Sequence, residues 1–146
     1  MLRVSTRSRY ALRAMVDVGL HASVGPVLRH EIARRQEISA NYVAQIFRDL
    51  AAARLLRGVR GPGGGYVLAK PPTEIRAGDV IRAIEGPIAL VHCVQEADAT
   101  PCSRIESCVT HRLWNRLSTS IEEILDSTTL QDLIDESRDL LARRGE

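Results

Sequence analysis

A mainly α fold with one small β-hairpin is what this 146-residue sequence predicts, on three observations. Apolar residues recur at spacings of three and four along most of the chain, the pattern of helices that bury one face. The run "YVLA" at 66–69, β-branched and aromatic, follows a cluster in which five of the chain's ten glycines fall between Gly58 and Gly65. A last stripe, Val109, Leu113, Leu117, Ile121 and Ile124/Leu125, spans about five helical turns.

Taken in order, Ser5 or Thr6 caps a first helix with Tyr10, Ala11, Ala14, Met15 and Val18 on one face, and "SVGPV" at 23–27 ends it with Gly and Pro. "LRHEIARRQE" at 28–37 reads as a short second helix. "ISANYVAQIFRDLAAARLL" at 38–56 reads as a third, capped by Ser39, with Val43, Ile46, Phe47 and Leu50 facing inward. The turn between them spans only Gln36 to Ser39, which fits a helix-turn-helix.

The glycines that follow admit two readings, a cradle for phosphate or a tight turn. A phosphate loop runs from a strand through glycines to Lys-Ser/Thr at the start of a helix. Here the glycines lead into "YVLA", a strand ended by "KPP", so the loop is a hairpin tip. Gly61 to Gly65 supply the positive-φ conformations that such a tip needs, and Arg60 beside them has no obvious neutralising partner. A helix-turn-helix followed by a basic hairpin is a winged helix, whose third helix enters the DNA major groove while the wing lies along the backbone or minor groove.

"GDVIRAIEGP" at 78–87 is a short helix closed by Gly86-Pro87, and 88–107 carry no periodicity. The long helix begins near Cys108. "STTLQDLIDESRDLLARR" at 127–144 restarts a helix at a capping box, Thr128 to Gln131, with Leu130, Leu133, Ile134, Leu140 and Leu141 apolar. The chain thus divides into a winged-helix DNA-binding region (1–75), a short helix with a cysteine-bearing sensor loop (76–107), and a dimerisation helix with a C-terminal helix (108–146). The long helix falls outside the compact winged unit, so its stripe is expected to pair with a second copy. A homodimer matches a palindromic operator in double-stranded DNA.

Charge supports that division. Residues 1–70 hold 12 Lys and Arg against 4 Asp and Glu, whereas 71–146 hold 8 against 14. Nineteen of the twenty basic residues are Arg, which grips phosphate or guanine bidentately, so the basic half suits a polyanion. No apolar run approaches a bilayer span, and "MLRVSTRSRY" lacks a secretory apolar segment, so a cytoplasmic protein with no membrane partner is expected. With neither a P-loop lysine nor carboxylates at metal-binding spacing, the chain is not expected to be an enzyme.

Three cysteines confined to 93–108 are no disulfide framework. The pattern Cys93-x8-Cys102-x5-Cys108-x2-His111 admits three chemistries. Thiolates with one imidazole suit an iron–sulfur cluster. Structural zinc prefers a Cys-x2-4-Cys pair, which is absent. Bare redox thiols, with Cys102 and Cys108 forming a disulfide, are the third.

"STRSRYALRAMVDVGL", "ISANYVAQIFRDL", "VRGPGGGYVLAK", "GDVIRAIEG" and "CVTHRLW" together resemble the Rrf2 family of bacterial transcription regulators, most nearly its iron–sulfur cluster regulator branch. The resemblance implies a homodimeric winged-helix repressor or activator. It also implies a metal site, an iron–sulfur cluster, [2Fe–2S] ahead of [4Fe–4S], held by Cys93, Cys102 and Cys108 before the dimer helix. By position, Asn41, Gln45 and Arg60 match residues that the family uses on DNA. The DNA-binding set drawn from helix three and the wing is Ser39, Asn41, Tyr42, Gln45, Arg48, Arg60, Gly61, Gly63 and Gly64. Ala44 stands where the closest branch often carries Glu.

The first cysteine interval is longer than the family's usual five or seven residues, a difference whose entropic cost grows only logarithmically. One nitric-oxide-sensing branch takes its fourth ligand from an acidic residue of the partner subunit's first helix. The matching residue is Arg9, which cannot ligate iron, so the resemblance leaves His111 as fourth ligand with His92 in reserve. His21 and His30 lie in the DNA half, as surface or packing residues. Trp114 either shields the site or packs. The alternatives are a cluster-free thiol-redox regulator and a small iron–sulfur redox protein without DNA binding, its basic half docking an acidic partner.

Overall fold

Local capping sets the first three helices. In the computed structural model, which describes residues 2–95 and 102–145, Ser5 Oγ accepts the amide of Ser8 at 3.0 Å and opens α1 (Thr6–His21). The second helix, α2 (Arg29–Gln36), stops where Glu37 turns left-handed at φ 57°. Two residues later Ser39 Oγ accepts the amide of Tyr42 at 3.1 Å and opens α3 (Ala40–Ala52).

This third helix ends four residues before the expected Leu56, and the reason is geometric. Its buried face runs through Val43, Ile46, Phe47 and Leu50. Continued helix would carry Leu55 and Leu56 off that face. Instead Arg54 takes a left-handed φ of 61°, and both leucines turn into the core as β1 (Leu56–Val59) begins.

The wing is the antiparallel pair β1 and β2 (Gly65–Leu68), with Leu56 opposite Leu68 and Val59 opposite Gly65. Gly61 and Gly63 hold positive φ at its tip. Val27 exchanges two backbone hydrogen bonds of 2.9 Å with Tyr66, fixing the chain just before α2 to the wing. A Cβ on Gly65 would lie 2.5 Å from the Val27 carbonyl oxygen, so glycine is what permits that approach.

Beyond the wing, α4 (Ala77–Glu85) packs against α1 and α3 and leads to a short 3-10 turn at His92–Val94. The chain then forms α5 (Val109–Ser127) and α6 (Leu130–Arg144). The capping box of α6 is Thr129 with Asp132, one residue after the expected Thr128 and Gln131. Thr128 instead donates its hydroxyl to the Ile124 carbonyl and accepts the Ala77 amide on its own carbonyl, so it closes α5.

The two terminal helices behave differently. α6 folds back onto α1, with Leu130 and Ile134 buried in the cluster that holds Met15, Ile32, Phe47 and Ile75. A Cβ on Gly19 would come within 2.3 Å of Ile134 Cδ1, so the two helices touch where α1 has no side chain. Of the nineteen residues of α5, only Ser118 is buried. Among the described residues, no helix is long and apolar enough to cross a membrane.

Candidate nucleic-acid interface and cysteine site

Opposite the buried face of α3, Asn41, Gln45 and Arg48 are exposed at spacings of four and three, so they form one edge of the helix. Ser39 is occupied as the cap. Tyr42 is half-buried, its ring edge-on to Tyr10 at 5.8 Å, so it braces α3 against α1. Arg7 pairs with Asp49 on the same helix. On the wing, Arg60, Gly61 and Gly63 are exposed, whereas Gly64 is buried, the space for its Cβ filled by the Val59 carbonyl at 2.3 Å. Gly64 therefore shapes the tip from within.

Sequence reasoning missed what fastens α2 to α1. The buried carboxylate of Asp17 takes hydrogen bonds from Arg35 Nε at 2.9 Å, Arg35 Nη2 at 2.7 Å and Gln36 Nε2 at 2.9 Å. That bidentate contact raises the Arg35 guanidinium above its ordinary pKa. A lone Asp on the apolar side of α1 was the available signal. Sequence reasoning also missed Arg29 and His30, which with Arg60 line a groove of about 630 Å³ between the start of α2 and the wing.

At the other end of the molecule, Cys93 Sγ and His111 Nδ1 lie 3.4 Å apart, both half-buried. Cys108 precedes α5, with Sγ 3.1 Å from Thr110 Oγ1. That hydroxyl, and then the His111 amide, hold the Cys108 thiol below its ordinary pKa. Cys102 is exposed in the turn before α5, and His92 is exposed beside Cys93. The structure thus joins one cysteine to the expected histidine. Among the described residues, no three His, Cys, Asp or Glu side chains converge as a metal would require. Ligands of such a site are drawn together by the metal itself, and residues 96–101, between Cys93 and Cys102, lie outside the described chain.

Three polar links hold the segment after α4 antiparallel along α5. Arg82 makes two bonds to Asp126, at 2.8 and 2.7 Å; the Leu90 amide donates to Ser118 Oγ at 3.3 Å; Cys93 meets His111. The Arg82 guanidinium holds the Asp126 carboxyl below its ordinary pKa. Residues 86–95 therefore form a strap from α4 to the cysteine site. The outer stripe of α5 is open, with Val109 77%, Leu113 50% and Ile124 66% exposed.

Comparison with known proteins agrees with this architecture. The family described as "Rrf2: Iron-dependent Transcriptional regulator" matches residues 4–136. The chain is 40% identical over 133 residues to the HTH-type transcriptional regulator IscR of Sodalis glossinidius, covering 91% of this chain and 79% of that protein. It is 38% identical to a putative HTH-type transcriptional regulator of Neisseria meningitidis serogroup A, covering 92% and 89%. Among solved structures, it resembles CymR, the global cysteine regulator of B. subtilis, at 39% identity and TM-score 0.76, covering 93% of this chain and 98% of that one. T. potens IscR matches at 38% identity and the same TM-score, covering 93% and 88%. The chain belongs to the Rrf2 family, and its winged helix is that of a DNA-binding transcription regulator of the Rrf2/IscR type, not of an enzyme.

Proposed function

We propose that the chain is a homodimeric, cytoplasmic regulator whose hold on a palindromic operator is set by an iron–sulfur cluster on Cys93, Cys102, Cys108 and His111, [2Fe–2S] in preference to [4Fe–4S]. The observation that carries this reading is the Cys93–His111 contact at the start of α5. Thiolate sulfur and imidazole nitrogen, donor types that an iron–sulfur cluster would take, stand 3.4 Å apart there. Cys108, its thiol already tilted toward thiolate, supplies the charged form that metals take. Exposed Cys102 is free to close the set. When bound, such a group makes the site responsive to iron supply and to oxidants.

The chain's own residues carry the consequence to DNA. Cys93 lies near the far end of the strap, and α4 at its other end packs on α3, which bears Asn41, Gln45 and Arg48. Fastening or releasing Cys93 therefore acts on the element that meets the bases. Protein purified without oxygen should absorb visible light and contain iron and sulfide, and Cys93→Ala, Cys102→Ala and Cys108→Ala should each lose the colour while staying folded. Colourless, iron-free wild-type protein contradicts the reading.

A second reading has its own support in exposed Cys102, the lowered pKa of Cys108 and the likeness to CymR of B. subtilis. In it, the two thiols give two electrons and two protons to hydrogen peroxide, forming a disulfide and two waters. Iron-free protein that gains a Cys102–Cys108 disulfide under peroxide, with altered DNA affinity, selects it.

A further inference from the structure

We infer that the groove between the start of α2 and the wing is a seat for the DNA sugar–phosphate backbone, with Arg29 and His30 on one wall and Arg60 on the other. The inference rests on the DNA-binding reading and adds two residues that neither the periodicity nor the family motifs single out.

The groove carries three basic side chains, Arg29, His30 and Arg60, and no carboxylate. Four other cavities of the described residues each include at least one carboxylate: Glu122, Asp17, Asp79 or Glu31. Arg7, Arg35 and Arg82 are neutralised by ion pairs, whereas among the described residues Arg29 and Arg60 make none. Two exposed guanidiniums lining one groove without a carboxylate reward an anion that enters.

Position selects the anion. The groove floor includes Ala40, the first residue of α3, and Gly58 of β1, so it opens where the base-facing edge of α3 meets the wing. Its two walls are held in register by the paired hydrogen bonds between Val27 and Tyr66. An anion seated there lies beside a helix that occupies the major groove, where a duplex places its phosphates. A free nucleotide or small phosphate would fit the charge as well, but only a polymer engages this groove and Gln45 together.

The test uses the full chain and a random-sequence duplex of 30 base pairs or so, because backbone contacts operate without sequence. Affinity is measured by fluorescence anisotropy across a salt series for wild type, Arg29→Gln, His30→Gln and the control Arg144→Gln, with thermal unfolding to check the fold. Arg29→Gln should make the log–log salt slope shallower by about 0.9 for each phosphate contact removed. His30→Gln should weaken binding to random and promoter duplexes by the same factor, and Arg144→Gln should change neither. Steep salt dependence in wild type with an unchanged slope in Arg29→Gln overturns the groove assignment while leaving DNA binding intact. A flat wild-type slope overturns the DNA reading itself. Weakening confined to promoter DNA makes these residues base readers, and competition by inorganic phosphate at micromolar concentration makes the groove a small-anion site; either result rejects the backbone seat.

Discussion

Gln45 lies on the exposed edge of α3, as its spacing from the buried Val43, Ile46 and Phe47 requires, so periodicity alone locates it. A Gln in the major groove pairs bidentately with adenine, at roughly 1–3 kcal/mol of discrimination. Gln45→Ala should therefore relax preference at one base position of each half-site, seen by binding to a promoter duplex and its single-base variants. Equal weakening on every variant would make Gln45 a backbone contact. Asp17 was not legible, because its partners Arg35 and Gln36 belong to another helix and resemble a solvated basic stretch. Only the folded chain shows that they satisfy a buried carboxylate. The cysteine set is intermediate. Spacing marks Cys93 and His111, and the fold brings that pair together, but among the described residues neither Cys102 nor Cys108 completes a three-ligand group.

Among elements, helices and wing followed from apolar period and glycine chemistry, and the differences came at boundaries. Helix α3 stops early because Leu55 and Leu56 are worth more in the core than one further turn of alanine-rich helix. The α6 cap moves one residue because Thr128 is used to close α5. Least visible was the junction of α4 with α5. "GDVIRAIEG" reads as an amphipathic helix, yet Gly78 lies where a Cβ would sit 2.0 Å from Asp126 Oδ1, so glycine admits the carboxylate that Arg82 holds. Because the folded-state pKa of Asp126 is depressed, the stability from this pair is present above the unfolded carboxylate pKa of about 3.9 and is lost as pH falls through the folded value. Asp126→Asn should cost about 1.5 kcal/mol at pH 7 in chemical unfolding, with the gap to wild type closing below about pH 4. A gap that persists unchanged at pH 3 would remove the ion pair from the account.

For the whole molecule, the basic N-terminal half carries the DNA-binding winged helix, and the open α5 stripe is the edge that the proposed homodimer would bury. Because Leu113 and Ile124 are exposed within one chain, the double variant Leu113→Glu, Ile124→Glu should keep its fold but sediment as a monomer and bind promoter DNA far more weakly. A variant that remains dimeric would place the interface elsewhere. In the proposed regulator, coupling between the cysteine site and the DNA face runs through the strap and α4. Its most direct measurement is promoter affinity of anaerobically purified, iron-loaded protein and of the same preparation after the iron is stripped, at one pH and one salt concentration. Coupling between distant sites is typically about 5–150-fold in affinity, and a change within that range is expected here. Equal affinity before and after loss of iron, in protein shown to be fully loaded at the start, would contradict the account.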